Sequence, residues 1–349
     1  MSLWRHFCAS FFVLTIAMAA PSIVAIAQSV TDELPAQCSA YATVPLPAEA
    51  EGVVAPNTPP DCASYRSYRG VGRPVNYSVA RSCAWRERLA QQARLQQSPK
   101  WPDSWVVGGS LILADIYLNG AGSKRNIPLA MRFACEAEEG MAMLALPDIK
   151  KLDGAFPTHA PFEFCHYATT TVTEEFCLDY ASEIESDRRG RYYNKLESQM
   201  SSPQRKAFDA LLAAENAYVN AHVSEVDQGG TIRAIRNLGS KNILERLFHA
   251  EIVQLENKDW PAFSDKQAIE SDRRLHDEYE SKVHQLHAHT QEEIDGGAVT
   301  ADHLARVEDV WEKYRVAWDT FARLRYPAAE SRIHAEITID RYRLLKTIE

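Results

Sequence analysis

Residues 301–327 read ADHLARVEDVWEKYRVAWDTFARLRYP. Large apolar side chains recur in this stretch at alternating spacings of three and four, which places them on one stripe of an α-helix; they are Leu304, Val307, Trp311, Tyr314, Trp318 and Phe321. Thr300 is a typical N-cap, and Pro327 ends the helix near Tyr326. We expect the stripe to be buried as a core seam. The alternative is an exposed aromatic platform for a sugar or a protein.

The rest of the second half is also helical in pattern. Capping and helix-breaking residues divide it into predicted helices over about 202–223, 231–257, 264–293, 300–326 and 328–347. No cysteine lies between residue 178 and residue 349. We therefore predict an antiparallel helical bundle that is stabilised by packing alone.

An internal repeat is the main feature of the first half. At an offset of 50, residues Gly70, Gly72, Asn76, Ala80 and Ala84 fall on Gly120, Gly122, Asn126, Ala130 and Ala134. Each unit reads as helix, Gly-x-Gly turn and helix, because glycine permits the positive φ at which a helix can end and reverse. The alanines, four residues apart, allow close helix packing.

The first 27 residues have the features of a cleaved secretory signal peptide. Arg5 precedes an apolar run over 7–20. The small residues Ala25 and Ala27 form an A-x-A pattern that predicts signal-peptidase cleavage after Ala27. We predict a periplasmic or secreted protein with no membrane span after cleavage. Residues 28–60 are rich in proline and predict an extended lead-in.

The net charge of the chain indicates which classes of partner it attracts. The chain carries a net charge of −9, which becomes −10 without Arg5, the only charged residue of the leader. This balance repels phosphate backbones and favours cationic partners through electrostatic steering. Nucleic acid is therefore not an expected ligand.

The repeat resembles Sel-one-like repeats, which are relatives of the tetratricopeptide repeat. LADIYLNGAGSKRNIPLAMRFACEA matches the pattern closely, and SYRSYRGVGRPVNYSVARSCAWRER matches it more loosely. The resemblance implies a short α-solenoid over 61–185 that is used for protein contacts. Because about three units are usually needed for a stable stack, disulfides would have to stabilise the two units that are present here.

An even number of cysteines, six, would remain after leader cleavage, which suits disulfides in an oxidising compartment. Six cysteines allow 15 pairings. The connectivity that we expect joins Cys62 with Cys83, Cys165 with Cys177, and Cys38 with Cys135. The predicted fold is thus all-α, with a disulfide-stapled α-solenoid followed by a helical bundle.

A second resemblance covers 264–349. The segments SDRRLHDEY and WEKYRVAWDTFARLRYP are similar to the lysozyme inhibitor LprI-like N-terminal domain, a small helical module of exported bacterial proteins. The residues that carry the resemblance are Asp272, Leu275, Tyr279, Trp311, Tyr314, Arg315, Trp318, Thr338 and Arg341. His276 stands where the family has Asn, and Val316 stands where it has Asp. A degenerate second copy is predicted over 190–258, because Leu211 and Tyr218 match Leu304 and Trp311 at an offset of 93.

Catalytic motifs are missing from the sequence. There is no G-x-S-x-G, and the cysteines are expected to be paired, so no catalytic residue and no cofactor are predicted. His276, Glu280, His284 and His287 follow one helix face. A solvated face is the main interpretation of this pattern, and zinc binding is the alternative.

The resemblance implies a periplasmic, non-catalytic binding protein that masks a lysozyme in envelope defence. Host lysozymes are typically basic, which fits an acidic partner. A Sel-one-like adaptor in envelope protein assembly is the second hypothesis. A peptidoglycan-cleaving enzyme that uses paired carboxylates is the third.

Overall fold

The computed structural model describes residues 38–48, 63–97, 108–136, 139–152, 161–259 and 263–348. Within these ranges the fold is all-helical, as predicted, and contains no strand. The predicted leader, most of the proline-rich lead-in, and Cys62 lie outside the described residues. No described helix is both long enough and apolar enough to cross a membrane.

The first half is a set of short helices. In chain order they are α1 (38–42), α2 (Ser64–Arg69), α3 (Tyr77–Gln97), α4 (Gly109–Asn119), α5 (Ile127–Ala134) and α6 (Glu139–Lys151). The second half consists of α7 (Thr171–Glu197), α8 (Ser202–His222), α9 (Arg233–Glu256), α10 (Asp265–Leu286), α11 (Gln291–Asp295), α12 (Ala301–Arg325) and α13 (Glu330–Leu345).

The two predicted repeat units have the same turn geometry. Gly70 and Gly120 end their helices in the left-handed region, with φ values of 76° and 66°. Asn76 and Asn126 each precede the next helix and cap its N-terminus. In both units the asparagine side chain accepts a hydrogen bond from the backbone N–H three residues later, at 3.1 Å. The repeat seen in the sequence is therefore a repeat of structure.

Disulfides fasten this half. Cys38 bonds to Cys135 and Cys165 bonds to Cys177, which are two of the three predicted pairings. Cys83 is also disulfide-bonded. The long Cys38–Cys135 link ties α1 to the end of α5, across 97 residues of sequence.

Helix α7 belongs to both halves. Near its start, Phe176 and Tyr180 pack on the core of the first half, and near its end Leu196 is buried in the core of the second. The backbone is helical throughout 185–190, where the sequence placed a domain boundary.

The bundle is built around α12, which packs along α8 and against α13. All six residues of its apolar stripe are buried, including Trp318 at 0% exposure, so the prediction of a core seam is confirmed. Tyr314 of this stripe stacks on Tyr218 of α8, with ring centroids 5.2 Å apart.

One predicted helix was too long. The helix expected over 264–293 ends at Leu286, and α11 follows as a separate short helix. The cause is a capping box at Thr290. The Thr290 hydroxyl accepts from the Glu293 N–H at 3.3 Å, and the Glu293 carboxylate accepts from the Thr290 N–H at 2.7 Å, which begins a new helix.

The repeat glycines provide a matched pair of substitutions. Gly72 and Gly122 both have positive φ, 66° and 68°, but a Cβ added at Gly122 would lie 2.4 Å from Tyr77 Cβ, whereas one at Gly72 would meet nothing within 4 Å. We expect Gly72→Ala to cost about 1 kcal/mol of unfolding free energy from backbone strain, and Gly122→Ala about 2–4 kcal/mol because a clash is added. Urea unfolding of the purified chain measures both values, and equal losses would contradict the prediction.

Candidate functional site

The predicted motif residues come together on three helices of the bundle. Asp272 of α10 accepts hydrogen bonds from Arg315 of α12 at 3.1 Å and from the Thr338 hydroxyl of α13 at 3.4 Å. The Arg315 guanidinium lies 4.9 Å from the centre of the Trp311 ring. Leu275 is buried in the same core. These residues join the helices to one another, which is a structural role.

Arg341 lies at the centre of a second, buried network. Its side chain is 1% exposed and donates to both carboxylate oxygens of Glu225, at 2.6 and 2.7 Å, and to Glu308 at 2.9 Å. His222 contacts the same Glu225 carboxylate at 2.7 Å. Burial alone would raise the pKa of Glu225, but the adjacent Arg341 guanidinium outweighs it and holds this pKa below its ordinary value. One cation is thus shared between two carboxylates.

A small cavity opens above this network, between α8, α9, α12 and α13. We call it the acid niche. Its floor contains the rings of Tyr218, Trp311 and Tyr314, and its wall includes Arg341. The acids and leucines around it are Glu215, Glu251, Asp340, Leu244, Leu247 and Leu344. Leu247, at the rim, is 38% exposed, so the acid niche lies next to solvent.

Most carboxyl groups of this region form no ion pair with a described cation, although Arg189 lies near Glu215 and Arg343 lies near Glu336. Among the described residues, Glu215, Glu251 and neighbouring Glu336 form no ion pair, and the carboxyl groups of Glu251 and Asp340 lie close enough to share a hydrogen bond. Asp340 is paired, because Arg343 donates to it at 2.8 Å. Partly buried acids without partners are unusual, since each removes a charge from water without compensation.

The lack of compensation shifts the pKa values of these acids upward. Burial, followed by the charge of Glu245, raises the pKa of Glu215 to about 7. Burial and the nearby Asp340 raise the pKa of Glu251 well above its ordinary value. The acid niche is therefore a place where an added positive charge would be stabilised.

Size limits the chemistry of the acid niche. Its volume is about 20 Å³, room for roughly one water molecule, whereas pockets for small organic ligands measure about 300–1,000 Å³. A sugar ring does not fit. The rings below it are packed against one another and do not line an open cleft.

The histidine face of α10 forms no metal site in the described part of the chain. No three His, Cys, Asp or Glu side chains converge there on a point that could hold a metal ion. His276, Glu280, His284 and His287 are all exposed. This agrees with the interpretation of a solvated face.

Sequence reasoning missed the acids of the site. Glu215, Glu225, Glu251, Glu308 and Asp340 were not singled out, because 47 Asp and Glu residues are spread over helices and their separation in space cannot be read from spacing. A weak signal existed at Arg341, which was predicted as a motif residue on an otherwise apolar helix face.

Comparison with known proteins gives no match, either to a family model, to a curated protein or to a solved structure. The two family resemblances therefore stay predictions.

Arg341→Met should destabilise the bundle by about 3–5 kcal/mol, because it leaves Glu225 and Glu308 buried without their cation. Arg332→Met is the matched control. Arg332 is exposed on the same helix and forms no ion pair with any described residue, so its replacement should change stability by less than about 0.5 kcal/mol. Urea unfolding followed by circular dichroism tests both variants. A similar small loss for both would show that the Arg341 network does not hold the bundle together.

Glu215→Gln should flatten the pH dependence of stability. Because the pKa of Glu215 is raised to about 7 in the folded state, its contribution is fully present below about 4.5 and is lost as pH rises through 7. Between pH 5 and pH 8 we expect the variant to lose about 1–2 kcal/mol less than the parent chain, because partial exposure of Glu215 to water reduces the full effect of about 2.7 kcal/mol. Glu280→Gln, an exposed control, should keep the parent slope. If the stability of Glu215→Gln depended on pH as steeply as that of the parent chain, the raised pKa of Glu215 would be contradicted.

Proposed function

We propose that the chain is an exported, non-catalytic binding protein whose partner is a basic protein. The observation that carries this proposal is the set of unpaired, partly buried carboxylates around the acid niche, beside the 38% exposed Leu247. Uncompensated acids lower the stability of the free protein, and a cationic partner would remove that cost.

Lysozyme is the specific partner that the resemblance to the lysozyme inhibitor LprI-like domain implies. Its basic character suits a chain with a net charge of −9, because long-range attraction raises the rate of encounter. The resemblance residues Trp311, Tyr314 and Arg341 form part of the floor and wall of the acid niche. This links the predicted motif to the proposed binding surface.

Export to the periplasm is supported by the cysteines. Two disulfides are formed within the described residues, and Cys83 is bonded as well. Such bonds persist in oxidising compartments. The signal peptide predicted over 1–27 lies outside the described residues.

The purified mature chain should slow the lysis of bacterial cell walls by a basic lysozyme. Since the attraction is electrostatic, inhibition should weaken as sodium chloride is raised beyond about 0.15 M. An unrelated protein of equal net charge is the control and should leave the rate unchanged.

Unchanged lysis at a large molar excess would contradict lysozyme as the partner. The adaptor hypothesis would then take its place, because the two matching helix hairpins of the first half support it independently. Cell-wall clearing by the chain alone, in a gel that contains peptidoglycan, would contradict the non-catalytic part of the proposal.

A further inference from the structure

We propose that the acid niche binds one primary ammonium group, that of a lysine side chain on the partner. The choice of a protein as the source rests on the proposed function. The ammonium chemistry rests on the acid niche itself, through its charge, its unpartnered polar atoms and its size.

Among the described residues that line the acid niche, the one cation, Arg341, is already paired. Arg341 lines the wall, but its guanidinium is bound by Glu225 and Glu308, so these three groups together carry one negative charge. Glu215 and Glu251 add carboxyl groups that form no ion pair with a described cation, and a cation bound between them would favour their ionised forms. An incoming cation would therefore meet a net attraction from several sides.

Two buried polar atoms belong to residues that line the acid niche and have no partner in hydrogen-bond geometry. They are the Tyr218 hydroxyl, whose residue is 3% exposed, and Glu251 Oε2. Arg341 lies near the first residue and the Asp340 carboxyl near the second. An ammonium group has three donors and no acceptor, so it can satisfy a carboxylate oxygen and a hydroxyl oxygen together.

Size selects lysine over arginine. The volume of about 20 Å³ suits a group as large as a water molecule, which an ammonium group is and a planar guanidinium is not. Leu247 and Leu344 line the acid niche and offer apolar surface to the four-carbon stem of a lysine.

The test uses n-butylammonium chloride as the probe and the purified mature chain as the receptor. Binding is followed by the shift of the indole N–H signals in NMR spectra, because Trp311 lines the acid niche. Glu251→Gln keeps the shape of the side chain and removes its ability to ionise beside a bound cation, and it should weaken binding about tenfold or more. Glu280→Gln makes the same change of net charge on an exposed face of α10, and it should bind like the parent chain.

Loss of folding is not expected to cause weaker binding by Glu251→Gln. Glu251→Gln removes an uncompensated acid, so its melting temperature should equal or exceed that of the parent. The n-butylguanidinium probe should bind more weakly than n-butylammonium. Equal binding of the two probes would overturn the choice of lysine.

Two results would overturn the ammonium pocket, namely no saturable binding of n-butylammonium, or equal loss of binding in Glu251→Gln and Glu280→Gln. The cavity would then hold only water. These failures are separate from failure of the proposed function. A chain that slows lysozyme but ignores n-butylammonium keeps its function and loses this pocket, and the reverse result keeps the pocket and removes lysozyme.

Discussion

The burial of Arg341 is the constraint on which the bundle depends. A guanidinium can leave water only if its donors are satisfied, and here Glu225 and Glu308 satisfy them from two other elements. Glu225 lies in the short 3-10 turn after α8, and Glu308 lies on α12. The three charges therefore fix where α13 lies against α12 and where the chain turns after α8. The aromatic stripe of α12 supplies the packing energy, while the ion network gives that packing its position.

The same network explains why the acid niche has no free cation. Arg341 is paired with Glu225 and Glu308, so its charge is not available to Glu215 and Glu251, which line the cavity. Glu215 and Glu251 are then held partly out of water by the packing of α8 and α9. A surface that needs only solubility does not require acids in such positions, because fully exposed carboxylates serve equally well. Stability that is given up at one place in this way is typical of binding sites.

Local signals in the sequence predicted the fold well. The three-and-four spacing of α12, the Gly-x-Gly turns and the capping box at Ser264 each act over a few residues, so they can be read without knowledge of the rest of the chain. The end of α10 was mispredicted because Thr290 and Glu293 were not recognised as a second capping box. The acid niche could not be predicted, since it joins residues from four helices as far apart as Glu215 and Asp340. Their contact depends on helix packing, which spacing does not encode.

Helix α7 determines how the two halves act together. The ion pair of Arg66 with Glu183 joins it to the repeats, but that pair is exposed, with 45% of the arginine side chain in solvent, and contributes little. The stronger connection is the helix itself, because its continuous backbone runs from one core into the other. Within α7, Arg189 is buried and forms an ion pair with Glu245 of α9. The repeat hairpins and the bundle are thus joined by one continuous helix that packs in both cores.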